Sequence, residues 1–207
     1  MTQSSKGRCS LCRCEAPKAQ MTRHLAACLP NHDSGAADET LVHLLIEATN
    51  DPDYWLHVEG RAAASLEQLD RLLRDTWLEC CGHMSAFYVQ GVEPAMRSRL
   101  GSVFHAKGIL FKYEYDFGST TRLKGKVIGF RNGSIGRQAV RLLARNAAST
   151  WQCSACGKPA ELVCGLCLYS EDAFFCAKHA PEHGCAEDEP FLPVVNSPRM
   201  GVCGYSG

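Results

Sequence analysis

Apolar and polar positions alternate through most of the region between residues 38 and 150. Two apolar runs flank a turn-forming Asn-Asp-Pro-Asp sequence and predict a pair of strands. Further on, alternation places Lys112 and Glu114 on one strand face and Tyr113 and Tyr115 on the other. The predicted strands of this region are 40–48, 54–60, 85–91, 110–118, 121–133 and 138–146.

Leucines at helical spacing predict a helix over residues 65–80, with Trp77 on the same stripe. Ser65 and Gln68 have the spacing of a capping box at its start. Pro94 predicts a second, short helix that ends near Phe104. Five or six strands with two helices define an α+β domain with an antiparallel sheet.

The amino-acid composition also indicates metal binding. The 207 residues are 45% apolar and 21% charged, which is typical of a globular protein. The sequence has no apolar run long enough for a membrane helix, and its start lacks the apolar core of a signal peptide. We therefore expect a cytoplasmic protein, in which its 13 cysteines stay reduced. Metal binding is the first explanation for so many thiols.

The first candidate metal site lies within residues 1–30. Its ligand-type residues are Cys9, Cys12, His24 and Cys28. The first pair has the spacing of a tight knuckle, and the second pair shares one face of a predicted helix, so the four can surround Zn²⁺. The pattern resembles a Cys₂-His-Cys zinc finger. Cys14 is an alternative to Cys9 or Cys12.

The second candidate occupies residues 151–186 and contains eight ligand-type residues in four pairs. They are Cys153, Cys156, Cys164, Cys167, Cys176, His179, His183 and Cys185. Eight ligands predict two ions, which makes three expected Zn²⁺ ions in the chain. The order resembles a B-box or MYND-like module, which implies that the first and third pairs share one ion and the second and fourth pairs share the other. Cys203 is an alternative for the last pair.

Two weaker groups lie in the middle region. Cys80, Cys81 and His83 follow the long predicted helix, where they can hold a metal together with a distant histidine. Buried thiols with a hydrogen-bonded histidine explain them better, because adjacent cysteines rarely chelate one ion. Glu114 and Asp116 share a strand face, where they predict either an acid–base pair or solvated surface. With His83 they define an alternative function, a metal-dependent hydrolase or nuclease.

Charge is segregated although the formal net charge is zero. Residues 30–60 hold seven acidic and no basic side chains, whereas residues 118–150 hold seven basic and no acidic ones. The two segments can neutralise each other after folding, or the basic residues can face nucleic acid. The residues that would contact phosphates are Arg13, Lys18, Arg23, Lys124, Lys126, Arg131, Arg137 and Arg141.

The middle region also carries the motifs WLECCGHMSAF and YEYDFGSTT. With these motifs it resembles the plasmid pRiA4b open-reading-frame-three-like family, whose members are also labelled transposon passengers with a resolvase-like name. The resemblance implies a compact α+β domain over residues 38–150 with a partly closed antiparallel sheet, in a mobile-element context. It implies no secure activity.

The sequence thus predicts four parts and a binding function. They are a zinc finger (1–30), the α+β domain (38–150), a double-zinc module (151–186) and a Pro/Gly-rich tail (187–207) that docks on the core or stays disordered. Because four protein ligands fill each predicted site, the zinc ions have no open position for substrate. We therefore expect a non-enzymatic interaction protein that binds another protein and can also bind nucleic acid.

Overall fold

A computed structural model describes residues 5–35, 38–168, 170, 172–186 and 190–207. The remaining positions include the first four residues of the predicted finger and the first three of the predicted tail. The described chain divides into two compact units. One lies within residues 5–75 and 84–147, and the other within residues 76–83 and 148–207.

An eight-stranded antiparallel sheet and three helices form the first unit. The elements are β1 (Lys6–Cys9), β2 (Glu15–Pro17), α1 (Lys18–Cys28), β3 (Glu39–Ala48), β4 (Trp55–Arg61), α2 (Leu66–Leu73), β5 (Ser85–Val89), α3 (Leu100–Val103), β6 (Leu110–Tyr115), β7 (Thr121–Gly133) and β8 (Val140–Asn146). The strand order is β2-β1-β8-β4-β3-β7-β6-β5. The predicted α+β class is confirmed, and the sheet is not closed into a barrel.

Helix α2 begins as the sequence predicts. The Ser65 hydroxyl accepts a hydrogen bond from the backbone N–H of Gln68, and the Gln68 side chain accepts one from the backbone N–H of Ser65. This reciprocal pair satisfies two backbone donors that the helix itself leaves free. The helix continues as a π-helical turn at Arg74–Leu78.

The short helix predicted after Pro94 is mostly wrong, because only Leu100–Val103 is helical. The carbonyls of Met96 and Ser98 instead accept hydrogen bonds from the backbone N–H groups of Glu67 and Leu66. The segment before α3 therefore supplies acceptors to the first turn of α2 rather than forming a helix of its own.

The N-terminal residues are part of the sheet, through β1, and of the helix α1 that packs against it. Strand β1 pairs with β8, and Met21 and Leu25 of α1 belong to the same buried cluster as Trp55. Gly7 is required at this junction, since a Cβ there would lie 2.3 Å from the Trp55 ring. The indole N–H of Trp55 donates to the Ser5 hydroxyl. The predicted finger is thus continuous with the α+β domain through backbone pairing and side-chain packing.

A buried ion network connects the segment after α1 to the sheet. The fully buried Glu59 carboxylate accepts hydrogen bonds from Arg131 at 2.7 Å and from Arg141 at 2.8 Å. Arg131 also donates to Asp33 at 2.8 Å, and this contact holds the pKa of the Asp33 carboxyl below its ordinary value. Acidic residues of the 30–60 segment thereby neutralise basic residues of the 118–150 segment.

Two histidines, the fully buried His57 and the half-buried His43, lie beside this network. His43 Nε2 and His57 Nδ1 are 2.8 Å apart, so one neutral ring donates to the other. Burial lowers the pKa of His43 from 6.5 to about 4 and the pKa of His57 to about 3. Both rings are therefore neutral in the folded protein at physiological pH.

This pair should make folding sensitive to acid. The unfolded chain takes up protons on both rings near pH 6.5, whereas the folded chain does so only near pH 4 or below. Stability is therefore lost as pH falls through that window. We expect the double substitution His43→Phe and His57→Phe to flatten the dependence of the unfolding free energy on pH between 6.5 and 4. The exposed His105 provides the control, and an equal flattening by His105→Gln would contradict this origin.

The second unit is built on very short strands. They are β9 (Leu162–Val163), β10 (Phe174–Phe175) and β11 (Leu192–Pro193), in the order β10-β9-β11. Its apolar residues form two small clusters, one around Phe175 and the other around Val163 and Met200. The described part of the tail is ordered within this unit, because β11 pairs with β9 and Tyr205 is buried.

Candidate metal centres

The first cluster is positioned by β1, a knuckle and α1. Cys9 ends β1, and its backbone N–H donates to the Cys14 carbonyl while its carbonyl accepts from Arg13. Arg13 has a φ of 65°, which lets the chain turn sharply between β1 and β2. His24 and Cys28 lie one turn apart on α1, which brings Cys12 Sγ to 3.3 Å from His24 Nε2 and Cys9 Sγ to 4.0 Å from Cys28 Sγ.

A second cluster, made of Cys153, Cys156, Cys176 and His179, has similar geometry. Nδ1 of His179 lies 3.6 Å from Cys153 Sγ and 3.4 Å from Cys176 Sγ, and the sulfurs of Cys156 and Cys176 are 4.0 Å apart. A turn whose Cys153 carbonyl accepts from the N–H groups of Cys156 and Gly157 positions the first two thiols. Gly157 has a φ of 69°, which this turn requires.

The third cluster contains Cys164, Cys167, His183 and Cys185. Cys167 Sγ is 3.4 Å from His183 Nε2 and 3.8 Å from Cys185 Sγ. The His183 ring also contacts Phe175, which restricts its orientation. The structure therefore brings together the first and third Cys/His pairs in one cluster and the second and fourth in another, which is the arrangement that the B-box or MYND-like resemblance implies.

A fourth cluster joins Cys80, Cys81, His83 and Cys203. The sequence indicates three of its members, Cys80, Cys81 and His83, but not Cys203, which lies more than 100 residues from them. The buried-thiol interpretation is also wrong, since Cys81 and Cys203 are exposed and Cys80 is half-buried. Local spacing carries no signal for such a long-range contact.

All four clusters have the dimensions of a tetrahedral thiolate site. In each, one candidate atom from every residue lies within 4.8 Å of the others. Zn–S bonds of about 2.3 Å and Zn–N bonds of about 2.0 Å in a tetrahedron place neighbouring sulfurs about 3.8 Å apart and a sulfur and nitrogen about 3.5 Å apart. The shorter separations between clustered atoms run from 3.0 to 4.0 Å. Disulfide sulfurs lie about 2.05 Å apart, so the arrangement is that of free thiols.

The clusters use twelve of the thirteen cysteines, and among the described residues Cys14 is the remaining one. Its thiol points to the Glu15 carbonyl at 3.6 Å. The alternative in which Cys14 replaces Cys9 or Cys12 has no support in this geometry. Cys14 is exposed, and it is therefore a matched control for substitutions in the clusters.

Crowded thiols change one another's acidity. Burial and the neighbouring sulfurs raise the pKa of Cys28 to about 12, and contact with Cys167 together with burial raises the pKa of Cys185 to about 11. At Cys153, burial acts in the raising direction, but backbone hydrogen bonds at Cys176 and Ala155 outweigh it and lower the pKa to about 6. A divalent cation would relieve the repulsion between thiolates and release their protons.

The acidic residues proposed for catalysis have other partners. Glu114 pairs with Arg122 at 3.2 Å. Asp116 is buried with a φ of 63°, and its carboxylate accepts a hydrogen bond from the backbone N–H of Gly118 at 2.9 Å. His83 Nε2 faces thiols in the fourth cluster. Each of the three residues therefore has a local structural explanation.

The basic residues proposed for phosphate contacts fall into two groups. Arg131 and Arg141 are neutralised by Glu59, and Arg141 is only 7% exposed, so neither is free to bind phosphate. Lys18 pairs with Glu47. The exposed members are Arg13, Arg23, Lys124, Lys126 and Arg137.

Lys124 and Lys126 line a groove on the outer face of the sheet. The groove has a volume of about 620 Å³ and an apolar part that includes Leu45, Tyr88 and Leu110. Its charged lining is mixed, because Glu47 and Glu114 lie beside Lys112, Lys124 and Lys126.

Comparisons with known proteins leave the family open. No protein-family model matches the chain, and no curated protein matches it. A crystal structure of a protein of unknown function from Methanosarcina mazei Go1 is similar at 14% sequence identity with a TM-score of 0.44. The match covers 52% of this chain and 70% of that one. Within the described residues, no helix has the length and apolar character needed to cross a membrane.

Proposed function

We propose that the protein is a zinc-binding, non-enzymatic macromolecular interaction protein in which the three clusters predicted from the sequence hold structural Zn²⁺ ions. The observation that carries this proposal is that every cluster offers three thiols and one imidazole within tetrahedral reach. Sets of three sulfurs and one nitrogen favour Zn²⁺ over the hard cations that hydrolases bind through carboxylates. Four protein ligands leave no coordination position for substrate, so the ions stabilise structure.

The proposed partner is another protein, bound through the double-zinc module. Acidic residues outnumber basic ones seven to three over residues 151–207, which disfavours nucleic acid as its target. Leu166 in this module is 60% exposed and gives an interface an apolar contact. Nucleic acid is the second candidate, and its support is the exposed pair Lys124 and Lys126 on the sheet.

Two parts of the proposal rest on the sequence alone. Membership of the pRiA4b open-reading-frame-three-like family and a mobile-element context are supported by the motifs of the middle region. A cytoplasmic location is supported by the 13 cysteines, which must stay reduced to bind metal.

Metal analysis of the purified full-length chain tests the structural zinc sites. We expect Cys9→Ser and Cys164→Ser each to lower the zinc content by about one ion or more, because each removes one of four ligands. Cys14→Ser should leave the zinc content unchanged. The hydrolase alternative predicts a different result, a metal ion that is lost on Glu114→Gln or Asp116→Asn and kept in the cysteine variants. That result would overturn the proposed function.

A further inference from the structure

We propose that Cys80, Cys81, His83 and Cys203 form a fourth zinc site, which connects the segment after α2 to the C-terminal end of the chain. All four residues lie in the second unit. The inference goes beyond the proposed function, because the three sites named there come from local ligand spacing, whereas this one is completed by the distant Cys203 in the folded chain.

The distances fit a single tetrahedral ion. The sulfurs of Cys80 and Cys81 are 3.6 Å apart, and the sulfurs of Cys81 and Cys203 are 3.8 Å apart. His83 Nε2 lies 3.0 Å from Cys81 Sγ and 3.3 Å from Cys203 Sγ. The sulfur separations match the edges of a tetrahedron with Zn–S bonds of about 2.3 Å, and the nitrogen is slightly closer to the sulfurs.

The turn that follows α2 directs three of the ligands, Cys80, Cys81 and His83, towards a common point. The Glu79 carboxylate accepts a hydrogen bond from the backbone N–H of Gly82 at 2.6 Å, and Gly82 has a φ of 79°. This turn reverses the chain directly after the two cysteines, so that His83 returns to face Cys81. A glycine is required there, because other residues rarely adopt this backbone conformation.

On the C-terminal side of the site, the backbone conformation of the chain positions Cys203. Cys203 has a φ of 50°, which is uncommon for a residue with a side chain, and it lies between Gly201 and Gly204, which also have positive φ values. Upstream, the hydroxyl of the buried Ser197 donates to the Trp77 carbonyl at 2.6 Å. That hydrogen bond holds the end of the chain beside residues 77–83.

Exposure distinguishes this site from the other three. Each of those contains at least one buried cysteine, namely Cys9, Cys153 or Cys164, whereas Cys81 and Cys203 are exposed and Cys80 is half-buried. Solvent and chelators therefore reach the fourth ion more readily. We expect it to be the first zinc released.

Thiol labelling of the intact zinc-loaded protein tests this site without any substitution. Cys14, Cys81 and Cys203 are all exposed, so N-ethylmaleimide reaches each of them, and the rate of each thiol can be compared before and after a chelator is added. We expect mass spectrometry to show rapid labelling of Cys14, with Cys81 and Cys203 labelled at least tenfold more slowly until a chelator is added. Labelling of Cys81 and Cys203 at rates that the chelator does not change would overturn the proposal.

Metal content provides the second test. We expect four zinc ions in the wild-type chain and three in both Cys203→Ser and His83→Asn, with four kept in Cys14→Ser. A loss of zinc in Cys9→Ser and Cys164→Ser, combined with no loss in Cys203→Ser and His83→Asn, would remove the fourth site and leave the proposed function intact. Failure of the proposed function gives a different pattern, in which Cys9→Ser and Cys164→Ser keep all their metal.

Discussion

Replacing Cys164 with serine is expected to unfold the double-zinc module while the eight-stranded sheet stays folded. The strands β9, β10 and β11 are two residues long, and the buried apolar clusters around them contain only a few side chains each. Such a core is too small to offset the conformational entropy of its chain. Structural zinc contributes about 10–16 kcal/mol to the folding of comparable small modules, and we therefore expect the proposed ions to supply most of this module's stability.

Hydrogen exchange measures this effect residue by residue. In the Cys164→Ser variant, the amides of residues 153–185 should lose their protection, and those of β3 and β7 should keep it. These strands pair over most of their length in the first unit and need no metal ligand from the module. The control is Cys14→Ser, which should exchange like the wild type. Retained protection of Val163 and Phe175 in the variant would show that the module folds without its metal.

Glu59→Gln should give the largest loss of stability in the first unit. Glu59 is fully buried on β4 and is the common acceptor for Arg131 and Arg141. The substitution removes the negative charge and leaves two largely buried guanidinium groups with less compensation. Removing one partner of a buried ion pair typically costs about 3–5 kcal/mol, because the remaining charge stays in a low-dielectric environment.

Urea unfolding at saturating zinc provides the measurement, and a second carboxylate provides the control. Glu114 pairs with Arg122 on an exposed part of the sheet, where an ion pair contributes about 0–1 kcal/mol. Glu114→Gln should therefore unfold at nearly the wild-type urea concentration, and Glu59→Gln at a much lower one. Equal midpoints for the two variants would mean that the buried network does not stabilise the sheet.

Local signals in the sequence were reliable, with the helix predicted after Pro94 as the exception. The Ser65–Gln68 capping box and the period-two pattern of β7 involve residues a few positions apart, and both are present in the structure. The two C-terminal clusters also form from closely spaced Cys/His pairs. Segregated charge predicted either neutralisation between segments or contact with nucleic acid, and Asp33 and Glu59 do pair with Arg131 and Arg141.

Contacts between residues far apart in the sequence could not be predicted from local sequence patterns. Nothing in the four residues of β1 indicates that they pair with β8, more than 130 positions away, and so the N-terminal finger was expected to be a separate module. Cys203 was weighed only against nearby ligands, although its neighbours in space are Cys80, Cys81 and His83. In both cases the two partners are distant in the sequence and come together only when the chain folds.

X-ray absorption at the zinc edge tests the central claim that these ions are closed structural sites. All four clusters offer three sulfurs and one nitrogen, so the average over the sites is the same whichever of them are filled. We predict an average of three sulfurs at about 2.3 Å and one nitrogen at about 2.0 Å per zinc, with no oxygen ligand. A coordinated oxygen with two or fewer sulfurs per zinc would contradict the account, because it would reveal an open position of the kind that catalytic zinc requires.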